Sequence, residues 1–543
     1  MKIDVLLIQP YQGEEIKFNG IMENIGLGLI SSYLKKHNFN TYILYETFHE
    51  TNFYAQLDYY IAQKPEVIGI ALITYYYHPS ILKLTSYLTK NGYDGYLIVG
   101  GHSASFLAET ILRIDKNIDG VIIGLGEEPF RKLLGNIKYY KKAKGKVFQK
   151  TPSCIYKSNG EICHTGILKK TPQNISLMPD RDFLKDISPK KEKQILFSVS
   201  FSRGCFGKCL FCSINKFFNS YSDRIWFSRS VEEIITEIKA LISMGKKEIF
   251  FVDDEFFGND YNKTARTEMF CNELKKLKEK IAFSICSRVD SINKEQLILL
   301  KSVGLEHIFL GIEFLTQEEL NFYKKGITVK DIHKSVNIIK SLGISLQCGF
   351  IMFHPFTRLD LIKKNLYSLK ALGEAKPLNI MTKLVPYWGT EIFKILAQEN
   401  MLIFDSTKPS IVFKEHNVQL MYELGEKALL EYMKIIKYFW FLVEPLTLEW
   451  QRGHHRNIME KYSEDIDNII TNANTIFFNF FSSALNYLIK KGADNKMVKQ
   501  EWILFSEQSL HDLSKEYEKL TLRLLLLIKI KERLIYDSKT VAN

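Results

Sequence analysis

The sequence predicts an α/β protein in three folded parts: a doubly wound parallel sheet, a partial (β/α)6 barrel, and a mostly α-helical C-terminal segment. Three patterns predict this. Over residues 1–135 short apolar runs alternate with amphipathic stretches, as parallel strands joined by helices do. Over 196–395 a strand–helix unit recurs, with its most polar and glycine-bearing loops after the strands. From 396 to 543 the apolar residues keep helical spacing over long stretches, at 418–445, 474–491 and 510–536.

In the first part the strands fall at 5–8, 41–44, 67–71, 96–99 and 120–123, with amphipathic helices at 26–37 and 79–91 between them. A Rossmann-like doubly wound sheet binds its ligands at the carboxyl ends of the strands. Gly100-Gly101-His102-Ser103 and Gly124-Leu125-Gly126-Glu127-Glu128 stand there, where glycine lets backbone approach a bulky ligand. His102 reads equally as a solvated loop histidine or as a ligand contact. Residues 136–195 form a basic linker with a hairpin around Ser158-Asn159-Gly160.

The barrel segment opens with a strand at 197–201 that feeds the run Cys205-Phe-Gly-Lys-Cys209-Leu-Phe-Cys212. Three thiolates can hold three irons of a [4Fe–4S] cube and leave the fourth open to an exogenous ligand. With 8 cysteines in 543 residues, chance supplies such spacing at a frequency on the order of 0.002 per chain. A structural zinc site wants a fourth Cys or His, often in a second close pair; the next cysteine is Cys271. A helix at 231–244 follows, then Asp253 and Asp254 directly after an apolar strand. Carboxylates there can bind an ammonium or sugar hydroxyls, or form a solvated acidic turn. After the strand at 282–286, Arg288 can grip a carboxylate bidentately or pair with Asp290. The fourth strand ends in Glu313.

With Phe211 between the last two cysteines, the region completes Cys-x3-Cys-x-aromatic-Cys and resembles the radical S-adenosylmethionine (SAM) enzymes. Asp253-Asp254-x-Phe256, the Lys324-Lys325-Gly326 stretch and Pro386-Tyr387-Trp388-Gly389-Thr390 add to that likeness. So does Pro179-Asp180-Arg181-Asp182, which is similar to the stretch that leads into such cores. The fifth strand departs from it, with His354 and Phe356 where Gly-x-Pro-Gly-x-Thr is usual. The first part resembles the cobalamin-binding domain of the cobalamin-dependent (class B) radical SAM enzymes: a strand ending in Pro10, a Gly26-Leu-Gly28 helix start, and the glycine loops at 100–102 and 124–127. It departs at Leu125 and lacks Asp-x-His-x-x-Gly, so the resemblance implies base-off cobalamin without a histidine axial ligand. It further implies that Cys205, Cys209 and Cys212 ligate the catalytic cluster. SAM would meet Phe211, Asp253, Asp254, Arg288 and Glu313, and cobalamin Gly100, Gly101, His102, Gly124, Gly126 and Glu127.

The activity this implies is a methyltransferase: a 5′-deoxyadenosyl radical activates an unactivated carbon of a specialised metabolite or modified peptide, and methylcobalamin delivers the methyl group. A cyclase or rearrangement enzyme on the same cofactors is the alternative, and a non-catalytic cobalamin-sensing or scaffold protein is another. Methylthiolation, which uses a second cluster in an N-terminal domain, is disfavoured because residues 1–153 contain no cysteine. An electron donor such as flavodoxin or ferredoxin is the implied protein partner. Residues 396–543, with Trp440, Trp450, His454 and His455, are expected to cap the barrel mouth and select the substrate.

Bulk properties agree with an enzyme of the reducing cytoplasm. The chain length suggests three or four domains, and 46% hydrophobic residues supply ample core. The first ten residues are too short and wrongly flanked for a signal peptide, and the apolar run at 524–528 falls far below the ~18 residues of a membrane span. Cys154, Cys163, Cys271, Cys286 and Cys348 are scattered and show no disulfide framework. The net charge of +12 is spread along the chain, densest around Lys141-Lys142-Ala-Lys144-Gly-Lys146. It reads as lysine bias, and nucleic acid is disfavoured as a partner.

Overall fold

A computed structural model of the chain describes residues 3–541 apart from 14–15, 18–19, 50–51, 141–142, 170–176, 260–261, 451–455 and 492–495. Lys141-Lys142, His454 and His455, and the side chains of Trp440 and Trp450, lie outside the described residues. Two compact units divide the chain: 1–311 with 321–347 and 385–410, and 312–320 with 348–384 and 411–543.

The first unit begins with β1 (Val5–Gln9), β2 (Ile16–Lys17), β3 (Gly20–Met22), β4 (Thr41–Tyr45), β5 (Val67–Ala71), β6 (Tyr96–Gly100), β7 (Gly120–Ile122), β8 (Cys154–Ser158) and β9 (Glu161–His164). Its first sheet runs β4-β1-β5-β6-β7-β8-β9, parallel as far as β7. Every residue of β1 and β5 is buried, as helices on both faces of a parallel sheet require. The first five strands in that order form a doubly wound arrangement whose direction of winding reverses between β1 and β5, the place where such sheets bind ligands. The hairpin expected around Asn159 is β8–β9, with Asn159 and Gly160 at positive φ. It extends the first sheet antiparallel at its edge, a pairing the sequence did not disclose.

The second sheet adds β10 (Ile195–Val199), β13 (Glu248–Phe251), β14 (Ala282–Arg288), β15 (Leu305–Glu313) and β16 (Ser345–Phe350); its order is β16-β15-β14-β13-β10-β3-β2. Five parallel strands form a curled half-barrel. The expected sixth strand is reduced to a bridge between Phe353 and Lys383. At the other edge β3 pairs in parallel with β10, Ile21 opposite Ile195, so the loop after the first strand of one sheet finishes the edge of the other. A buried ion network fixes this join. Arg181 Nε and Nη2 donate to Glu23 at 2.8 Å, and Nη2 reaches Ser198 O at 2.8 Å and Glu237 at 3.1 Å. Glu23 also accepts from Ser198 N at 2.8 Å.

In the second unit Phe353 packs edge-on against Tyr422 and Phe481, and the C-terminal helices are His416–Trp450, Arg456–Lys491 and Lys496–Val541. A short hairpin, Leu402–Asp405 with Lys408–Ile411, precedes them in a segment expected to be mostly helical. Among the described residues no helix is long and apolar enough to cross a membrane.

The ion network gives a stability prediction. Arg181→Met leaves Glu23 with only the Ser198 amide among these contacts and takes one partner from the fully buried Glu237. Removing one partner of a buried pair costs about 3–5 kcal/mol, so the thermal midpoint of the variant should fall by several degrees in a melting scan.

Candidate functional site

The site grows from the end of β10. The chain turns there into β11 (Ser202–Gly204), which pairs antiparallel with β12 (Trp226–Ser228). Cys205 follows directly, and Cys212 caps the helix Ser213–Tyr221. Gly204 sits at φ 88°, and a Cβ there would lie 2.2 Å from Ile225 O; only glycine fits this turn. The loop between has no strand or helix of its own, so its backbone is held from outside. Leu210 N donates to Tyr323 O at 3.0 Å, and Ile392 N to Leu210 O at 3.1 Å.

All three cysteines are unpaired and half-buried. Burial pushes the Cys205 thiol up to about 11 and the Cys212 thiol up to about 12, the latter raised further by Cys209 and Cys205. The three thiols therefore lie within electrostatic reach of one another. Gly207 N donates to Cys205 Sγ at 3.3 Å, and Arg288 Nη1 stands 3.7 Å from Cys209 Sγ. Donors aimed at sulfur suit a thiolate-bound iron–sulfur cluster, whose potential they tune. Among the described residues no three His, Cys, Asp or Glu side chains are grouped to hold one metal ion. A cluster does not ask for that, since each thiolate binds its own iron.

The carboxylates after β13 divide their work. Asp253 is 2% exposed and turned into the protein. It accepts from Phe201 N at 3.2 Å and from both the amide and hydroxyl of Ser202, and burial lifts its carboxyl to about 7. It thus braces the strand-to-cysteine turn. Asp254 is solvent-accessible but crowded by protein, which raises it to about 6; it accepts from Gly204 N at 3.1 Å. Glu255, which sequence reasoning missed, is fully buried and accepts from Arg288 N at 2.6 Å. Arg288 itself is gripped bidentately by Asp290 at 2.9 Å, donates to Lys325 O at 2.9 Å and lies over the Phe206 ring. The Arg288–Asp290 pair is thus present. Phe211 is half-buried with its ring 6.0 Å from Tyr323.

Two expected features lie in the second unit. Glu313 ends β15 at φ 64°, a conformation that costs a non-glycine residue energy and is found at functional sites. His354 is buried with Nε2 2.9 Å from Glu319, whose carboxylate also accepts from Thr316 and Asn365. The departure at His354 therefore has an internal partner.

At the carboxyl ends of β1, β5, β6 and β7 lies a cavity of about 380 Å³, mostly apolar, and Gly100, Gly101, His102, Gly124, Gly126 and Glu127 all line it. Gly101 has φ 123°, and a Cβ there would meet Leu72 O at 2.5 Å. A Cβ on Gly100 would meet nothing nearer than 3.9 Å, so the strand end is left bare for a flat ligand. The apolar walls and bare glycine backbone suit the flat face of a corrinoid. His102 is half-buried and not turned toward the cavity alone: Nε2 lies 2.9 Å from Ser213 Oγ, and the ring stacks on Phe217 at 4.4 Å. Burial drops its pKa to about 4. Glu127 is ion-paired with Arg203, Nη1 to Oε1 2.8 Å, and Arg203 also lines the cavity. Sequence reasoning missed Arg203 and Ser213, whose only signal was their position beside Cys205 and Cys212. A second cavity of about 330 Å³ shares Asn24 and Ile73 with the first and is bounded by Gln9, Tyr75, Tyr387 and Val252.

Residues 16–134 match the B12 binding domain model, and residues 199–363 the Radical SAM superfamily model. The chain is 26% identical over 380 residues to an uncharacterised methyltransferase of Pyrococcus horikoshii, covering 68% of this chain and 78% of that protein. It is 26% identical over 393 residues to the 4'-phospho-dehydrooxetanocin synthase of Priestia megaterium (66% and 50%) and 26% over 339 residues to the hopanoid C-3 methylase of Methylococcus capsulatus (61% and 61%). It thus spans half and about three fifths of the latter two. Among solved structures, the cobalamin-dependent S-adenosylmethionine radical enzyme OxsB with aqua-cobalamin bound shares the fold at a TM-score of 0.72, with 19% identity over 99% of this chain and 81% of that one. The radical S-adenosylmethionine methyltransferase TsrM from Kitasatospora setae, with tryptophan substrate and a SAM analogue bound, gives 0.57, with 15% identity over 69% and 72%.

His102 makes the pH dependence testable. Its folded pKa lies below the ordinary histidine value of about 6.5, so between about 6.5 and 4 the unfolded chain binds more protons and stability is lost as pH falls through that window. From pH 7 to 5 the loss due to this one group approaches 2 kcal/mol. Denaturant unfolding at the two pH values should show a smaller drop for His102→Gln than for the wild type.

Proposed function

Because the chain is a cobalamin-dependent radical SAM enzyme, with a B12-binding domain ahead of its radical SAM domain, we propose that it methylates an unactivated carbon of a specialised metabolite or modified peptide. The observation that carries this reading is the adjacency of two sites: Arg203, two residues before the first cysteine, is itself a wall of the glycine-lined cavity. Two of the relatives, the Pyrococcus protein and the hopanoid methylase, are named for methyl transfer.

When bound, the reduced [4Fe–4S] cluster with SAM supplies a hydrogen-abstracting 5′-deoxyadenosyl radical, and cobalamin supplies the methyl group. The chain's residues do the rest. Cys205, Cys209 and Cys212 would hold the cluster, with Gly207 N and Arg288 placing positive hydrogens beside the sulfurs. Asp254, exposed to solvent, would take the ammonium or ribose of SAM, while Asp253 and Glu255 hold the surrounding backbone. Gly100 and Gly101 leave room for the corrinoid, and Glu127 and His102 form its rim. The second cavity, next to Asp253-Asp254 through Val252, is the chamber proposed for the substrate. A one-electron donor of the flavodoxin or ferredoxin kind would reduce the cluster.

Rearrangement or cyclisation on the same cofactors is the second reading, supported by the likeness to 4'-phospho-dehydrooxetanocin synthase. Product analysis separates the two. Anaerobic enzyme reconstituted with iron, sulfide and hydroxocobalamin, then reduced and given SAM, should release S-adenosylhomocysteine together with 5′-deoxyadenosine. Release of 5′-deoxyadenosine alone would contradict methyl transfer and favour the second reading.

A further inference from the structure

The loops that rim the glycine-lined cavity and the chain on either side of the cysteines are joined by contacts that the chemistry above does not use. On the near side of Cys205, Arg203 gives Nη1 to Glu127 at 2.8 Å, with the Glu127 side chain only 9% exposed. On the far side of Cys212, Ser213 Oγ meets His102 Nε2 at 2.9 Å, and Phe217 stacks on the same imidazole. One turn further along that helix, Tyr221 OH donates to Ser105 O at 2.9 Å. Its ring also packs where Gly124 has no side chain; a Cβ there would lie 2.6 Å from Tyr221 Cβ. Both ends of the thiol-bearing loop are therefore fastened to the cavity rim, while its own backbone contributes the bond from Cys212 N to Cys209 O at 3.2 Å.

We propose that His102 with Ser213, and Glu127 with Arg203, are positioning pairs through which occupancy of the cavity by a corrinoid orders the cysteine loop. The inference rests on the reading of this cavity as the cobalamin site. Each rim residue that a corrinoid presses into place has its other face on the loop, so a ligand that stiffens residues 100–106 and 124–127 stiffens 203–221 as well. By linkage an ordered loop favours the corrinoid in the same measure.

The test is hydrogen exchange on the anaerobically reconstituted full chain, with and without saturating hydroxocobalamin. In the wild type, hydroxocobalamin should slow exchange of peptides from 203–221 severalfold. Ser213→Ala, which alters no wall of the cavity, should lose part of that slowing, and Ser213→Thr should restore it. Equal slowing in wild type and Ser213→Ala, or none in wild type that retains hydroxocobalamin, would overturn the proposal. Failure of the wild type to retain hydroxocobalamin would instead sink the cobalamin reading of the cavity.

Discussion

The rest of the site depends on one constraint: a loop bearing three thiols must be held in place by groups outside it. It contains neither a strand nor a helix, and beyond the bond from Cys212 N to Cys209 O most of its backbone donors and acceptors have to be satisfied from elsewhere. Asp253 fixes its entry, taking two amides and a hydroxyl at the turn that leads into the cysteines. Burying that carboxylate is costly, and the hydrogen bonds offset the cost only while the turn keeps its shape. Gly204, Leu210 and Arg288 then hold the loop's start, its middle and its second sulfur.

The same logic explains why so many charged groups near the site are spent on protein. Arg288 is gripped by Asp290, Glu127 by Arg203, and Glu23 and Glu237 by Arg181. Buried ion pairs of this kind add little net stability, yet they fix one geometry among several. Asp254 differs from Asp253 and Glu255 in being open to solvent, which is why it carries the ligand-binding role in the proposed function.

Much of this was legible in the sequence, for physical reasons. Parallel strands covered on both faces are continuous apolar runs, so β1, β5 and β6 could be read directly, and the cysteine spacing is a rare event in any composition. The glycines at 100, 101, 124 and 126 pointed to one cavity, and all four line it. What was not legible depends on contacts distant in sequence. Nothing local distinguishes Asp253 from Asp254; the direction of each is set by the amides of residues 201–204. The two- and three-residue strands β2 and β3 are too short to show periodicity, and β10, the partner of β3, lies more than 170 positions away. His102 looked like a loop histidine because Ser213 and Phe217 are invisible to a local reading, and Arg288 offered two partners that only geometry could rank.

The three-cysteine loop and the glycine-lined cavity, on this reading, form one site. Electron paramagnetic resonance of the reduced, reconstituted chain loaded with cob(II)alamin tests it most directly, because two unpaired spins held close together split and relax one another. A single site should give spectra of cluster and cobalt that are broadened or split by mutual coupling, with the coupling absent when either cofactor is left out. Two unperturbed spectra that simply add would place the cofactors apart and contradict it.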